Sequence, residues 1–556
     1  MWGLASDPSA APFLQAAALA LNHWAWTVLY VVFSLASLDS PSQAAQTSPT
    51  VWLVPSLERI GRDAPSGKGL SIELYAARGE CESFQVVVQA PDSGLTDVKV
   101  RVGDLVGSDG ASISEANLTL YLEHYVYVRK SSPDSGGTNR PLGVGWYADG
   151  LIPLGFPSAH FPNEERSRAA SAAVAPHRNQ PFWVDIFVPR DARPGRYKAA
   201  VTVESAQGRV TGEVLLNVWD FELPLKPSLD SAFLIERTNS AAARLEVLKH
   251  RLMPMMPRSE RVHDEPLLIK EWGLKSANIA LWSRSYRKNC PMAPAPSFET
   301  VRQAAAAHDP ALHLYNYTAD EIDRCPELIE QVKAWARVLH QAGVDNLITM
   351  TPVPQLYDDG SGTGRSAVDI WVLLPTMYNR ALRQVDEVLR KGDRVWSYNA
   401  LVQDGYSPKW QIDFAPINYR IQAGFMSQSL RLTGLLYWEV SHWTTEPWTN
   451  VQTYKSEGDE FPGDGMLVYP GEQIGVPGVV PSMRLKWLRD GVEDFEYVEI
   501  LKRYGCADFA MKAARNVAVS WSQWTQDAAV LERERRRLGA YAERVSRASG
   551  NCVSPQ

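Results

Sequence analysis

Two adjacent carboxylates, Asp320 and Glu321, follow the apolar, aromatic run Leu312-His313-Leu314-Tyr315-Asn316-Tyr317, with only Thr318 and Ala319 between. Carboxyl groups held this close can divide labour, one donating a proton while its neighbour stays charged and stabilises a developing cation. On an ideal strand adjacent side chains point to opposite faces, so both acids can serve one site only where the chain bends as it leaves the sheet. An Asp-Glu step ahead of a helix also caps that helix and complements its dipole. From these residues alone capping and catalysis stand level, and the surrounding chain must decide.

Other candidate side chains sit on apolar runs of the same kind. Trp396 and Tyr398 share one face of a run, Trp438 and Glu439 close another, and Asp369 and Trp371 share a face of a third. Aromatic faces pack against the C–H faces of sugars while carboxylates accept from hydroxyls. The competing reading of each aromatic is packing inside a barrel. Asp264-Glu265-Pro266 is a second acidic pair, but Pro266 suits the first position of a helix, so this pair reads as a cap. Gly360, Gly362 and Gly364 form a glycine-rich loop without a P-loop Lys or a Rossmann context, read as a flexible loop beside the site. Cys81, Cys290, Cys325, Cys506 and Cys552 show no zinc-type spacing, so no metal site is expected. Their odd number leaves at least one thiol unpaired, and spacing does not say whether Cys290 and Cys325 pair.

The elements that would position these residues follow from the rhythm of the chain. At 556 residues it is long enough for two substantial cores. Residues 70–77, 82–89, 98–102, 118–128, 182–188, 198–203 and 214–219 read as strands, with a turn at 191–195 and no long helical period between them. An antiparallel β-sandwich over 46–224 is the economical reading. After Leu223-Pro224-Leu225-Lys226-Pro227, eight apolar runs (231–235, 251–256, 277–282, 312–317, 346–351, 368–374, 394–399 and 434–439) alternate with helical stretches such as 326–341 and 375–391. That pattern predicts a (β/α)8 barrel of the TIM type over 225–550, with C-terminal helices and an active site at the carboxyl ends of the strands. Asp320 and Glu321 then close strand four. The Glu- and Arg-rich stretch 532–537 reads as a solvated helix face.

The remaining expectations concern partners and address. Net charge of −7 and a pI near 5.9 give no footprint for nucleic acid, and 19 Trp suit a neutral glycan. Residues 1–45 hold an apolar run, Trp24 to Leu38, ahead of small residues that fit signal-peptidase cleavage near Ala44, although no Lys or Arg precedes Arg59. The expectation is a secreted or periplasmic protein with no stable membrane span once processed; retention of the segment as an anchor, the oligomeric state and the natural glycan stay open.

The chain resembles glycoside hydrolase family 123 and related proteins that share its C-terminal region. The resemblance rests on Arg78-Gly79-Glu80-Cys81-Glu82-Ser83-Phe84-Gln85 and Val218-Trp219-Asp220-Phe221-Glu222-Leu223-Pro224, then on Ala319-Asp320-Glu321, Val395-Trp396-Ser397-Tyr398, Gly434-Leu435-Leu436-Tyr437-Trp438 and Gly463-Asp464-Gly465. Its most specific string runs from Arg484 to Tyr497, RLKWLRDGVEDFEY, whose charges recur at helical spacing and read as architecture. The resemblance implies an exo-acting β-N-acetylgalactosaminidase that uses no cofactor and works by substrate assistance, with Asp320 and Glu321 as catalytic dyad. Family members often carry Pro after the dyad, where this chain has Ile322.

The residues are compatible with that mechanism. A retaining glycosidase with a protein nucleophile needs a second carboxylate about 5–5.5 Å from the acid, commonly on another strand. The run 394–399 carries none. With substrate assistance the 2-acetamido oxygen is the nucleophile, Glu321 is acid and then base with a pKa raised by burial or its neighbour, and Asp320 orients the acetamido N–H. In that picture Tyr398 bonds the acetamide, Trp396 packs on its methyl, and Trp438 and Glu439 offer a stacking floor and a hydroxyl acceptor. Two alternatives remain: a glycosidase for another sugar with Glu439 or Asp369 as nucleophile, or a silent glycan-binding protein on the same barrel.

Overall fold

The structure is a computed structural model that describes residues 48–154, 172–236, 240–256, 263–285, 289–548 and 552. The segment 1–45 and the cleavage site near Ala44 lie outside the described residues. Gln46–Gln556 forms one compact unit. Among the described residues no helix is long and apolar enough to cross a membrane.

The amino-terminal part is sheet-rich. One sheet orders Thr50–Pro55, Cys81–Gln89, Asn179–Phe187, Leu118–Val128 and Gly145–Leu154, all antiparallel. The other orders Ser71–Arg78, Gly208–Glu222, Gly195–Ser205, Leu95–Val102 and Ala172–Val174. Its first pair runs parallel, a departure from the purely antiparallel expectation. Phe84, Val86 and Val88 meet Leu74, Val201, Val214 and Leu216 between the sheets. Cys81 through Val88 are all buried, because the opposite face of that strand is covered by the carboxyl-terminal helices rather than by water.

After residues 223–229 the chain enters eight parallel strands: Asp230–Leu234, Pro254–Met255, Ser276–Asn278, His313–Asp320, Asp345–Thr349, Ile370–Leu373, Arg394–Tyr398 and Gly434–Tyr437. All eight fall within, or within a few residues of, the predicted runs. Ladder bonds join them in sequence except between the second and third, so the barrel is nearly closed. Its interior is filled by Ala232, Met255, Tyr315, Leu347, Ile370, Val372, Trp396 and Leu436. Gly434 is needed there, since a Cβ would stand 2.4 Å from the Trp396 indole.

The helical layer is less regular than the (β/α)8 expectation. The fifth and sixth strands are joined with only the short turn Pro354–Leu356 between them. The helix predicted over 375–391 breaks into Pro375–Arg380 and Leu382–Lys391 at Ala381. The glycine loop also differs from expectation. Asp359 bonds His340, which bonds Asp369 ahead of the sixth strand, so Gly360 and its neighbours lie near the amino ends of the strands, away from the dyad. Asp264 does stand ahead of a helix, Glu265–Trp272 with Pro in its first turn, but its carboxylate pairs with Arg244 at 2.7 Å and makes no side-chain cap bond.

The helix Met483–Arg503 is buried along nearly its whole length, and its charges lock barrel and sandwich together. Arg484 forks onto Asp149 at 2.7 and 2.9 Å, Lys486 and Arg489 converge on Asp185, and Glu493 accepts from the Cys81 N–H. Burial would raise Asp185, yet Arg489 and Lys486 outweigh it and hold the carboxyl well below its usual range. The 532–537 stretch corrects a prediction: Arg535, 2% exposed, binds Glu80, Glu82 and Asp494, and Glu532 binds Arg420. A solvated face was read because charge alone does not reveal an interface made of opposite charges.

Candidate active site

Strict alternation along the fourth strand would turn Asp320 away from the barrel mouth. Tyr315 and Tyr317 pack on the interior side, which sends Thr318 out, Ala319 in and Asp320 out. The ladder shows otherwise: Tyr317 pairs with Leu347 but Ala319 already pairs with Ile348, so Thr318 is a bulged extra residue. Ala319 therefore joins Ile322, Val332 and Ile348 in the helix-side core, and Asp320 turns inward. The bulge is held by polar contacts: Thr318 Oγ1 donates to Asn346 Oδ1 at 2.5 Å, and the Ser283 N–H and hydroxyl both donate to the Thr318 carbonyl.

Glu321 completes the bend with a φ of +47°, a left-handed conformation that costs a non-glycine residue on the order of 1 kcal/mol. One hydroxyl stabilises it. Thr349, directly opposite Asp320 in the ladder, accepts the Glu321 N–H at 2.7 Å and donates its own proton to Asp320 Oδ1. The Tyr317 hydroxyl donates to the same Asp320 oxygen at 2.8 Å, and the Tyr398 hydroxyl reaches Glu321 Oε1 at 3.2 Å. Burial and the adjacent carboxylates push both phenols well above their ordinary pKa, so they stay protonated donors. The Cys290–Cys325 disulfide ties the loop after the third strand to the loop just past the dyad. Among the described residues these two cysteines and Glu327 have metal-ligand spacing, but the disulfide consumes both thiols.

Asp320, Glu321 and Tyr398 thus come together as the sequence suggested. Trp396 shares the Tyr398 face but lies one interior layer deeper, 1% exposed and packed edge-on to Tyr315, so it fills the barrel and does not reach a ligand. Trp438 is half-buried, its Nε1 donating to Asp464 Oδ1 at 2.8 Å and its ring beside His442 and Tyr454. Glu439 is 1% exposed, and its oxygens accept from the N–H groups of Glu236, Val440 and Ser441 and from the Ser441 hydroxyl. Burial raises its pKa, and it serves as a clamp between the ends of the eighth and first strands rather than as an acceptor for substrate.

Asp369 and Trp371 are not at the site. Asp369 precedes the sixth strand, binding His340, Arg365 and the Asn346 N–H at the amino end of the barrel. Trp371 is fully buried against the helices, with Nε1 donating to Asp393. The two do share a face, but it is the outer one. Conversely, Tyr317, Thr349 and the 47%-exposed Trp282, whose ring stands 5.1 Å from that of Tyr317, were missed. Tyr317 lies three residues before Asp320 in a run read as core, and nothing local marks the bulge that brings its hydroxyl to that acid.

Residues 62–205 match the glycoside hydrolase 123 N-terminal domain, and residues 313–501 match the glycoside hydrolase 123 catalytic domain. The chain belongs to glycoside hydrolase family 123. The catalytic match of this family 123 chain starts at the strand that carries the dyad and ends in the buried charged helix. Among solved structures it is similar to a family 123 glycoside hydrolase from Clostridium perfringens, described for glycolipid glycan hydrolysis. The two are 12% identical, the match covers 90% of this chain and 98% of that one, and the TM-score is 0.62, a likeness of fold. A β-glucuronidase from Parabacteroides merdae matches at 10% identity over 64% of this chain and 45% of its own, with a TM-score of 0.25 that carries no argument. No curated protein matches. Family 123 membership places the chain among the glycoside hydrolases, with a glycan as substrate.

Proposed function

We propose that this family 123 member is an exported β-N-acetylhexosaminidase that releases terminal β-linked N-acetylgalactosamine by substrate-assisted, retaining hydrolysis. The observation that carries the reading is the bulge at Thr318 followed by the left-handed Glu321, which turns two neighbouring acids toward one site. Asp320 Oδ1 accepts two hydroxyl donors, which fix the orientation of the carboxylate and suit the stabilising partner. Glu321 is then the proton carrier.

In the first step the acetamido carbonyl oxygen attacks C1 while Glu321 gives its proton to the glycosidic oxygen, and the aglycone alcohol leaves. Asp320 accepts a hydrogen bond from the acetamido N–H and offsets the positive charge of the oxazolinium. In the second step Glu321, now a carboxylate, takes a proton from water as the water oxygen attacks C1 and the ring opens, returning the β-anomer. A protein nucleophile is disfavoured: the seventh strand has no carboxylate, Glu439 is saturated with donors, and Asp369 is at the far end of the barrel. Export is supported by the Cys290–Cys325 disulfide, a bond that persists in oxidising compartments.

The test is p-nitrophenol release by residues 46–556 from the β-N-acetylgalactosaminide, the β-N-acetylglucosaminide and the plain β-galactoside. Turnover confined to acetamido sugars is expected. Glu321→Gln should abolish most turnover while sparing binding, and Asp320→Asn should hurt acetamido substrates most. Equal turnover of the plain galactoside would overturn the assisted mechanism.

A further inference from the structure

We propose that Cys506 and Cys552 form a second disulfide that fastens the carboxyl-terminal end of the chain to the junction between two helices. Cys506 is 2% exposed and caps the helix Ala507–Val517, its thiol 3.7 Å from the Tyr504 carbonyl. Cys552 is exposed, and its sulfur stands 3.3 Å from the Tyr541 hydroxyl of the last helix, Ala528–Arg547. Phe509, three residues past Cys506, packs on Tyr541, and Cys506 and Tyr541 belong to one buried cluster, so two sulfurs 46 positions apart approach the same phenol. The third free cysteine, Cys81, is buried in the sandwich sheet, its N–H bonded to Glu493.

Two further observations fit this pairing. The chain already holds one disulfide, which fits the oxidising compartment of the proposed export, the reading on which this pairing rests. The two thiols also differ in a way that favours Cys552 as the first attacker. The Cys506 and Tyr541 contacts hold the exposed Cys552 below its ordinary pKa, whereas burial pushes Cys506 up to about 11. Cys552 as thiolate attacks a disulfide of the oxidising machinery, forming a mixed disulfide and releasing one thiol. Cys506, giving up its proton to solvent, attacks the Cys552 sulfur and releases the second. The pair loses two electrons and two protons, and the external disulfide becomes two thiols.

The bond would brace a helix that matters to the whole assembly. Arg535 and Glu532 of the last helix join the sandwich acids Glu80 and Glu82 to Arg420 and Asp494 of the barrel side. Phe509 and Tyr541, with centroids 4.0 Å apart, pack the two helices that the disulfide would tie together.

The test uses the full exported protein. It is unfolded in guanidinium with iodoacetamide and no reductant, digested, and mapped by mass spectrometry, with the Cys290–Cys325 link as internal proof of oxidising maturation. Expected are alkylation at Cys81 alone and a linked peptide joining Cys506 to Cys552 that separates on reduction. Alkylated Cys506 and Cys552 alongside an intact Cys290–Cys325 bond would overturn the proposal, as would a Cys552-linked dimer. Cys552→Ser should melt about 2–5 °C below the oxidised wild type, and an unchanged melting temperature would refute the bracing role.

Discussion

Replacing Thr349 by valine tests whether one hydroxyl sets up the dyad. The substitution keeps the shape of a buried side chain and removes two bonds at once: the donor to Asp320 Oδ1, and the acceptor that holds the Glu321 N–H at 2.7 Å. A hydrogen bond to a carboxylate contributes about 1.5–3 kcal/mol and an orphaned buried N–H costs about 1–3 kcal/mol. Tyr317 still donates to Asp320, and the Glu321 backbone can relax from its left-handed conformation, so the loss is smaller than the sum. About 3 kcal/mol is a reasonable total, which is roughly a 100-fold drop in kcat/KM. It should fall on kcat, because the bonds orient the acids more than they hold the sugar. Thr349→Ser restores the hydroxyl and should recover activity to within about fivefold of wild type, since only a methyl is lost. The assay is p-nitrophenol release on an N-acetylhexosaminide the wild type turns over, with melting curves confirming that each variant folds. A valine variant with wild-type kcat, or a serine variant as slow as valine, would refute the clasp.

Three other perturbations probe the surrounding architecture. Glu439→Gln places an amide among backbone donors and should cost about 2–3 kcal/mol in urea unfolding while leaving measurable turnover; a stable but wholly inactive variant would point back to Glu439 as nucleophile. Asp185→Ala strands Lys486 and Arg489 between sandwich and helix and should destabilise by about 3–5 kcal/mol, which an unchanged denaturation midpoint would contradict. Glu123 is fully buried with neither carboxylate oxygen bonded among the described residues, and burial pushes it up to about 8. A raised folded pKa means that its stabilising contribution is complete below about 4.5 and is lost as pH rises through 8. Glu123→Gln should therefore flatten the fall in melting temperature between pH 6 and 9 and exceed the wild type at pH 9 by up to about 4 kcal/mol; parallel pH curves would exclude this.

The eight barrel runs and most sandwich strands were legible because each is a local pattern: a buried strand must be apolar over four to eight residues and be bounded by turns. The edge strands Thr50–Pro55, Gly145–Leu154 and Ala172–Val174 were missed, and so was the parallel pairing of Ser71–Arg78, since pairing partners are set by distant chain. The charged helix after Ser482 was rightly read as architecture from its periodic charges. The similar charges at 532–537 were read as solvated, because composition cannot tell a charge facing water from one facing Glu80.

At the site, the sequence by itself determined which acids are candidates and which strand carries them. Adjacent Asp320 and Glu321 at the end of an apolar run, with a seventh strand without carboxylates, already disfavoured a protein nucleophile on that strand, while assisted chemistry was what the family resemblance implied. Only the tertiary structure decided which way those side chains point. The bulge at Thr318 needs Asn346 and Ser283 from neighbouring strands and loops, and the left-handed Glu321 needs the Thr349 hydroxyl across the ladder. The same holds for Asp369 and Trp371, whose shared face is plain in the sequence but whose outward direction follows from the helices packed on it. Alternation fixes which residues lie together, and only contacts between elements distant in sequence fix which side is the inside.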